Sequence, residues 1–583
     1  MQPETWWVVT MLLAVAWFVP GAGEPRFRAI ENFFVRLSRR RSLVLLLVFL
    51  LAIGLRLAWL PFVHYPYPRV HDEFSYLLQA DLFAHGHLSL PAHPMSRYFE
   101  TFYVNFHPTY SSMYPPAQAM VLAAGQLLGH PWIGVLLSAA AMFAALLWML
   151  QGWFPPHWAL FGALLALVRF DLVSYWVNSY WGGAVAACAG ALVLGALPRL
   201  RRQWRTRDAL ILGAGICILA NARPLEGLIF SVCAALVLTS WLIRRRLAGR
   251  PIPFRAVLVP IALCLATNIA FTLYYNWRVT GDPLVIPHEI YYRQYMSVPP
   301  FIWEKMLPPK VYPYKEFHNF YNVWVRAQFN GTFRDALRVE REKLCDFWKF
   351  FLGTLLSIPF LTLPWMIRDR KTRLFLFFFA VSAVGLLGVT WFLPHYAAPV
   401  FAVIMALLVQ AFRHLRRWTF SGRPVGVGWT RVLVILTLAT VPACTMKSLA
   451  DPGSLFCLNW PYNQDRADIV RHLNDTPGQH LVLVRYLPKH NVHDEWVYNA
   501  AEIDRSKIVW ARVVPDLDVQ PLLNYYAGRR VWLLDVGEEF AGLRPLMPSD
   551  ISAVSNPPVP SASTDSRNLV PKSPVVRPLI DAN

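Results

Sequence analysis

Long apolar runs separated by short arginine-rich gaps are the feature that most constrains how this chain can fold. A stretch of about 20 largely apolar residues is long enough to cross a bilayer as a helix. The interiors of these apolar runs are almost free of charge. This matters because placing one ionised group at mid-bilayer costs roughly 2.5 to 3.5 kcal/mol. Eleven runs qualify, at 42–60, 132–153, 158–173, 181–197, 210–222, 228–242, 256–275, 350–366, 374–392, 397–412 and 432–446. They predict an all-α polytopic membrane domain of about 11 to 12 transmembrane helices.

The composition agrees with a lipid environment and excludes an ordinary soluble enzyme. Hydrophobic residues make up 56% of the chain and charged residues 15%. The net charge of +20 could indicate a nucleic-acid partner, but the arginines do not form one patch. They fall in short gaps between apolar runs, as the positive-inside rule predicts for cytoplasmic loops. These five groups lie at 26–41, 199–207, 244–255, 368–373 and 413–423. The charge therefore indicates topology, and no nucleic-acid partner is expected.

The same topology divides the chain into parts. Residues 1–41 form an N-terminal segment whose apolar stretch 6–19 is either an extra membrane helix or an interfacial one. The membrane domain covers 42–446 and carries two extracytoplasmic loops, 61–116 and 275–349. A small α/β extracytoplasmic domain is predicted for 447–547, because β-like runs alternate there with helical patterns. The tail 548–583 is rich in Pro and Ser and is predicted to be disordered.

Two adjacent acids follow the first strong apolar run. Asp72 and Glu73 begin a stretch with the period of an amphipathic helix, which ends at Gly86. One interpretation is local, since acids are favourable in the first turn of a helix. The other is chemical, with Asp72 at the lipid–water boundary acting as general base on an acceptor hydroxyl. Capping does not require two adjacent acids directly beyond a membrane exit, so the chemical interpretation is preferred.

The order of these features resembles the type C glycosyltransferase superfamily, the GT-C fold. The likeness consists of the acidic pair after the first span, an outward loop closing with Tyr114-Pro115-Pro116 before a short apolar stretch, and a long series of spans. Within the superfamily the chain is most similar to protein O-mannosyltransferases and bacterial aminoarabinose transferases. The resemblance covers roughly residues 41–446.

The resemblance implies a glycosyltransferase that moves a sugar from a polyprenyl-phosphate donor to an outward-facing hydroxyl of a glycan, lipid or protein. It implies that Asp72 is the catalytic residue and that Glu73 is a supporting acid, which places the acceptor or a divalent ion. The enzyme would be a multi-pass protein of the cytoplasmic membrane, with its active site on the extracytoplasmic side and membrane lipid around it.

A lipid-phosphate donor also needs cations near the outer face, because the leaving phosphate gains charge in the transition state. Arg223 falls at an outside turn, where a local ion pair with Glu226 is the alternative. His395 and Tyr396 occupy another outside turn, which looks like a tyrosine-containing motif of the family; an interfacial aromatic belt is the alternative there. Three further side chains of the first loop complete the expected substrate site: Tyr76, Tyr114 and Glu100.

No cofactor is predicted with certainty, and a divalent metal ion stays open because paired carboxylates suit a base with a helper or part of an ion site. In the C-terminal part, His490 to Trp496 holds two His and two acids, but the spacing matches no standard metal pattern. A solvated or docked loop is favoured there.

Other function classes compete with the transferase. A transporter or flippase of a lipid-linked sugar is one, although transporters usually place functional charges near the bilayer centre. A lipid-linked oligosaccharide ligase or polymerase is the nearer alternative.

Overall fold

The structure, a computed structural model, describes residues 3–329, 333–450, 463–488, 490–514, 517–538, 541–548 and 550–551. Helices dominate it. In the N-terminal half they are α1 Pro3–Phe18, α2 Glu24–Ser38, α3 Arg41–Ala58, α4 His71–Ala84, α5 Ser96–Phe99, α6 Pro116–Leu127, α7 Pro131–Trp153, α8 Pro156–Phe170, α9 Ala184–Gln203, α10 Thr206–Ala222, α11 Pro224–Leu247 and α12 Val259–Thr280. The remaining ones are α13 Pro287–Tyr295, α14 Lys315–Phe317, α15 Arg326–Gln328, α16 Phe333–Phe351, α17 Gly353–Ser357, α18 Leu363–Met366, α19 Arg370–Gly388, α20 Phe401–Arg416, α21 Val425–Ala450, α22 Gln464–Asp475 and α23 Gln520–Tyr525. Short π-helical or 3₁₀ segments occupy Phe254–Leu258, His318–Val325, Ile358–Thr362, Pro394–Val400 and Ile503–Arg505.

Within the described residues, eight helices are long and apolar enough to cross a membrane, or nine if one bent pair forms a single span. They are Arg41–Ala58, Pro131–Trp153, Ala184–Gln203, Pro224–Leu247, Phe254–Thr280, Arg370–Gly388, Pro394–Arg416 and Val425–Lys447. The chain is thus a multi-pass, mostly helical membrane protein, and the predicted fold class is confirmed.

Three of the eleven predicted runs do not form a full-length straight helix. Run 158–173 lies in α8, which has 15 residues, and run 210–222 lies in α10, which has 17. Run 350–366 is broken, because the chain turns by 90° between α16 and the helices after it. Gly353 opens the second arm with a φ of +58°, a conformation that favours glycine. An apolar run predicts that its residues avoid water. A break in the helix does not change that, so the run does not predict the break.

Helix α9 lies in the middle of the bundle and is buried over most of its length. Gly190 lets it approach the Pro394–Val400 turn closely, since a Cβ there would lie 2.1 Å from the carbonyl oxygen of Pro399. This contact fixes the turn that carries His395 and Tyr396. The N-terminal α1 packs on α21, where Trp429 donates a hydrogen bond of 3.1 Å to the carbonyl of Leu13.

Two long loops, 61–116 and 275–349, cover one end of the bundle. The first contains α4, α5 and a small antiparallel sheet with the strand order β1-β3-β2, formed by β1 Leu90–Pro91, β2 Val104–Asn105 and β3 Thr109–Ser112. The second loop contains α13 to α15, and α16 follows it. Tyrosines and phenylalanines of both loops share one buried cluster that includes Phe102, Tyr291 and Phe317. The loops therefore form one layer over the bundle.

The small C-terminal domain is confirmed. Its sheet has the order β5-β4-β6-β7, with β4 His480–Tyr486, β5 Ile508–Arg512, β6 Arg530–Val536 and β7 Ala541–Pro545. The three predicted strands are parallel, and the helical patterns correspond to α22 and α23. Strand β7, which pairs antiparallel with β6, was not predicted. The tail predicted to be disordered lies outside the described residues, apart from residues 548, 550 and 551.

Candidate active site

The site is built around the first turn of α4. Helix α4 begins at His71, after Val70 in an extended conformation (φ −86°, ψ 153°). Asp72 and Glu73 follow in the first turn, where acids face the positive end of the helix dipole. A helix is thus present where one was predicted, and it ends at Ala84, close to the expected Gly86. It is buried on most sides, so the expectation of an amphipathic helix is wrong.

Asp72 points into a group of tyrosines. The hydroxyl of Tyr114 donates a short hydrogen bond to Asp72 Oδ1, and the Tyr114 ring stacks on Tyr76 at 4.4 Å between centroids. Burial raises the pKa of Asp72 to about 6, while the Tyr114 hydroxyl and the charge of Arg223 act in the opposite direction. The carboxyl is therefore ionised at neutral pH yet more basic than an ordinary aspartate.

Arg223 supplies the cation of this group from the turn between α10 and α11. Its guanidinium carbon lies 4.4 Å from the centroid of the Tyr396 ring, an arrangement typical of a cation–π contact. The alternative was a local ion pair between Arg223 and Glu226. In the part of the chain that the structure describes, these two side chains do not form an ion pair. We name Asp72, Tyr76, Tyr114, Arg223 and Tyr396 the Asp72 cluster.

Glu73 is buried and held by backbone donors. Its Oε2 accepts hydrogen bonds from the N–H groups of Arg69 (2.9 Å) and Val70 (3.2 Å), and its Oε1 accepts one from Tyr180 (3.2 Å). Burial raises its pKa to about 7, against the effect of these donors. Both oxygens are engaged, so Glu73 ties α4 to the bundle. Its predicted role, a supporting acid that places the acceptor or a divalent ion, stays a prediction.

The side chain of His395 is buried and hydrogen-bonded to another side chain of the protein. Its Nδ1 lies 2.9 Å from the hydroxyl of Tyr175, and its ring centroid lies 4.9 Å from that of Trp181. The side chain is 1% exposed. The structure thus engages Nδ1 of His395 with Tyr175 and places the neighbouring Tyr396 beside Arg223, while the predicted contact of His395 with a carrier phosphate stays a prediction.

Glu100 lies in a different cluster from Asp72. Its carboxylate accepts hydrogen bonds from the hydroxyls of Tyr295 and of Tyr314, the latter at 2.7 Å. Both tyrosines belong to the second loop. Glu100 therefore joins the two long loops, and its predicted place in the substrate site stays a prediction.

Tyr103 belongs near the site but was missed. It adopts a φ of +61°, which is rare for a residue with a side chain. Its N–H donates to the Tyr291 hydroxyl at 2.7 Å, and its carbonyl accepts from Ser75 on α4 at 2.6 Å. Its ring centroid lies 6.0 Å from that of Tyr114. No sequence pattern distinguishes this tyrosine from the other aromatic residues of the loop.

Two small adjoining cavities lie beside the Asp72 cluster, and Tyr396 is the cluster member that lines the first. The first has a volume of about 10 Å³, and the second has a volume of about 90 Å³. The first is lined by Glu226, Ile229, Ser382, Leu386, Tyr396, Ala397, Pro399 and Val400. The second is lined by Lys343, Leu344, Phe347, Phe379, Ala383, Leu386, Leu387, Phe392 and Val400. Because Leu386 and Val400 line both, an apolar passage leads from Tyr396 between α11, α16 and α19.

The part of the chain that the structure describes contains no group of three or more His, Cys, Asp or Glu side chains arranged to hold a metal ion. The carboxylate oxygens of Glu73 accept hydrogen bonds from backbone N–H groups. A cation bound to these oxygens would have to displace those N–H groups. The carboxyl pair therefore fits a base and its support better than two ligands of one ion.

Comparison with known proteins yields structural likeness alone. No protein-family model matches the chain, and no curated protein matches it. Among solved structures, the Archaeoglobus fulgidus oligosaccharyltransferase, tethered with an acceptor peptide, aligns at 12% identity and a TM-score of 0.40, over 84% of this chain and 68% of that one. ArnT from Cupriavidus metallidurans bound to undecaprenyl phosphate aligns at 14% identity and a TM-score of 0.41, over 85% and 92%.

The arabinofuranosyltransferase AftD from Mycobacteria aligns at 13% identity and a TM-score of 0.34, over 84% of this chain and 35% of that one. TM-scores below 0.5 assign no substrate or residue role to this chain.

Proposed function

We propose that this protein is a membrane glycosyltransferase that moves a sugar from a polyprenyl-phosphate donor to an outward-facing acceptor hydroxyl, with Asp72 as general base. One observation carries the proposal: a partly buried, basic carboxyl and an arginine share one cluster at the mouth of an apolar passage. A base and a phosphate-binding cation are the two groups that such a transfer requires.

Asp72 suits the part of the base. A carboxyl with a pKa of about 6 is ionised near pH 7 and still takes a proton readily, which is the compromise that general-base catalysis favours. The Tyr114 hydroxyl occupies Oδ1 and orients the group. The second oxygen, Oδ2, is the one that would accept the proton of the acceptor hydroxyl.

Arg223 suits the part of the phosphate ligand. It lies over the Tyr396 ring, and the first cavity begins at the same tyrosine. A phosphate beside Arg223 would place the attached prenyl chain in the apolar passage that follows. A water-soluble nucleotide sugar would not use such a passage.

The proposed reaction balances as a single displacement. The acceptor oxygen forms a bond to the anomeric carbon while its proton passes to Asp72, and the bond from that carbon to the phosphate oxygen breaks. The bonding electrons leave with the polyprenyl phosphate, whose growing negative charge Arg223 stabilises. Attack opposite the leaving group inverts the anomeric configuration.

The test replaces Asp72 in the purified, full-length protein supplied with a labelled polyprenyl-phosphate sugar. Asp72→Asn keeps the size and the hydrogen bond from Tyr114 but removes the base, so turnover should fall by about 10² to 10⁴-fold. Asp282→Asn is the matched control, since Asp282 is an exposed acid of the second loop and should leave turnover unchanged.

Two outcomes would overturn the proposal. If Asp72→Asn and Asp282→Asn turn over equally, Asp72 does not act in the reaction. If reconstituted wild-type protein moves the labelled donor across vesicles without cleaving the sugar–phosphate bond, the protein is a transporter.

A further inference from the structure

The C-terminal domain holds the helix that carries Asp72. Arg69, two residues before α4, is bound by Asp494 through hydrogen bonds of 2.7 and 3.2 Å from Nε and Nη2. Both side chains are largely buried, with 15% and 23% exposure. A bidentate Arg–carboxylate pair fixes both the orientation and the distance of the two side chains. The pair of Arg69 and Asp494 therefore holds the backbone in place directly before α4.

His71, the residue before Asp72, is held by the same segment of the C-terminal domain. Its Nε2 lies 3.0 Å from the carbonyl oxygen of Val492, and its Nδ1 lies 3.0 Å from the hydroxyl of Tyr498. Burial keeps the pKa of His71 well below its usual value, so the ring is neutral. A carbonyl only accepts, so Nε2 carries the proton and Nδ1 accepts from Tyr498.

The contact continues along the helix. The Tyr498 ring stacks on Phe74 at 4.1 Å between centroids and 6° between planes, one turn after His71. Further along, Asp81 accepts a hydrogen bond of 2.7 Å from the N–H of Ala501. The opposite side of the first turn is tied to the membrane bundle by Glu73 and the Tyr180 N–H. Helix α4 thus lies between two supports.

We propose that Asp494 and Tyr498 of the C-terminal domain are positioning residues for the reaction, which set the place of Asp72 by holding Arg69 and His71. We call these two contacts the clasp. The inference rests on the proposed function of Asp72, and it gives the C-terminal domain a part in catalysis. It also accounts for the docked position of the His490 to Trp496 segment.

The test uses two conservative variants in the full-length protein. Asp494→Asn removes the charge that orients Arg69, and Tyr498→Phe removes the hydroxyl donated to His71 while keeping the stack on Phe74. Small displacements of a reacting group cost up to about 10²-fold in rate, so kcat should fall by roughly 10- to 100-fold. The KM for the donor should stay the same, because Arg223 and the cavities are untouched.

The acid limb of the pH–rate profile gives a readout that general loss of stability would not move. It reports the protonation of Asp72, and a displaced Asp72 meets different surroundings, so the limb should shift in both variants. Asp468→Asn is the matched control: Asp468 pairs with Arg471 at 3.1 Å in the same domain, with both side chains more than half exposed. It should change neither kcat nor the limb.

A double substitution and hydrogen exchange complete the design. If the clasp acts through Arg69, Arg69→Gln with Asp494→Asn should lose no more kcat than the larger single loss. Independently of activity, amide exchange in the first turn of α4 should quicken in Asp494→Asn and not in Asp468→Asn. Unchanged exchange, or kcat and an acid limb equal to those of Asp468→Asn, overturns the clasp. Inactive wild-type protein with the exchange difference intact would instead overturn the proposed function alone.

Discussion

Two buried groups of this molecule combine an arginine with carboxyl groups and tyrosines, and they differ in how the charges are paired. In the C-terminal domain, Arg512 forms ion pairs with Glu495 at 2.6 Å and with Glu316 of the second loop at 3.0 Å. Arg512 and Glu495 are each 1% exposed. In the Asp72 cluster, Arg223 contacts the Tyr396 ring, and within the described residues no carboxylate lies within ion-pair distance of it.

The difference separates a structural charge group from one suited to a ligand. Buried charges are costly unless they are paired. Arg512 is paired with Glu495 and Glu316, so carboxylates of the protein itself neutralise its charge. Arg223 has no carboxylate within ion-pair distance in the described residues, so part of its charge is left for another anion, and it lies over Tyr396, which lines the first cavity. The comparison indicates that the unpaired cation, and not the number of buried charges, marks the site.

The largest effect on folding should come from Arg512. Arg512→Leu would leave Glu495, which is 1% exposed, without its cation in a buried place, which typically costs about 3 to 5 kcal/mol. Thermal unfolding of the detergent-solubilised protein measures the loss. Arg485→Leu is the matched control, because Arg485 lies on the same sheet and pairs with a partly exposed Asp535 at 2.6 Å; it should cost about 1 kcal/mol or less. Equal losses would remove the contrast between the two groups.

Arg223→Gln should have the opposite effect to Arg512→Leu: it should lower transfer activity and leave thermal stability nearly unchanged. No carboxylate is left unpaired by it, so thermal stability should change little. Loss of the cation that stabilises the leaving phosphate should lower kcat/KM by about 10² to 10³-fold. The measurement belongs at pH 8, where Asp72 stays ionised although one stabilising charge has been removed.

Arg278→Gln is the control for that variant. Arg278 is an exposed arginine at the outer end of α12, with its guanidinium carbon 5.9 Å from the Trp277 ring. It resembles Arg223 in chemistry but lies outside the cluster, so transfer should stay unchanged. If Arg223→Gln unfolds the protein as Arg512→Leu does, Arg223 is structural and the comparison fails.

Local patterns allowed much of the fold to be predicted. Apolar runs located the spanning helices, such as Arg370–Gly388 for the run 374–392, because the bilayer demands apolar length directly. The strands of the C-terminal sheet were located for a similar reason. Broken helices and the antiparallel β7 were missed, since hydropathy carries no information on a chain break or on strand direction.

Part of the site geometry was predicted, and the contacts that were not predicted share a physical cause. Asp72, Tyr114 and Arg223 do come together. The partners of His395 and Glu73 were not predicted because they are distant in sequence: Tyr175 lies 220 residues from His395, and Tyr180 lies 107 from Glu73. A titratable side chain looks available until the tertiary contact that occupies it is known.

The smallest effect should come from Tyr114, and it is a change of pH dependence. Since Asp72 must be unprotonated to act, transfer should be present above its pKa of about 6 and be lost as the pH falls through that value. The Tyr114 hydroxyl favours the ionised form, so Tyr114→Phe should raise the pKa and move the acid limb to higher pH. At pH 8 turnover should fall less than about fivefold, because one hydrogen bond is lost and the stack on Tyr76 is kept. Tyr274→Phe, at an exposed tyrosine of α12, should leave the profile in place. An acid limb that does not move in Tyr114→Phe would show that this limb belongs to a group other than Asp72, and the distinction between the two buried clusters would then rest on Arg223 alone.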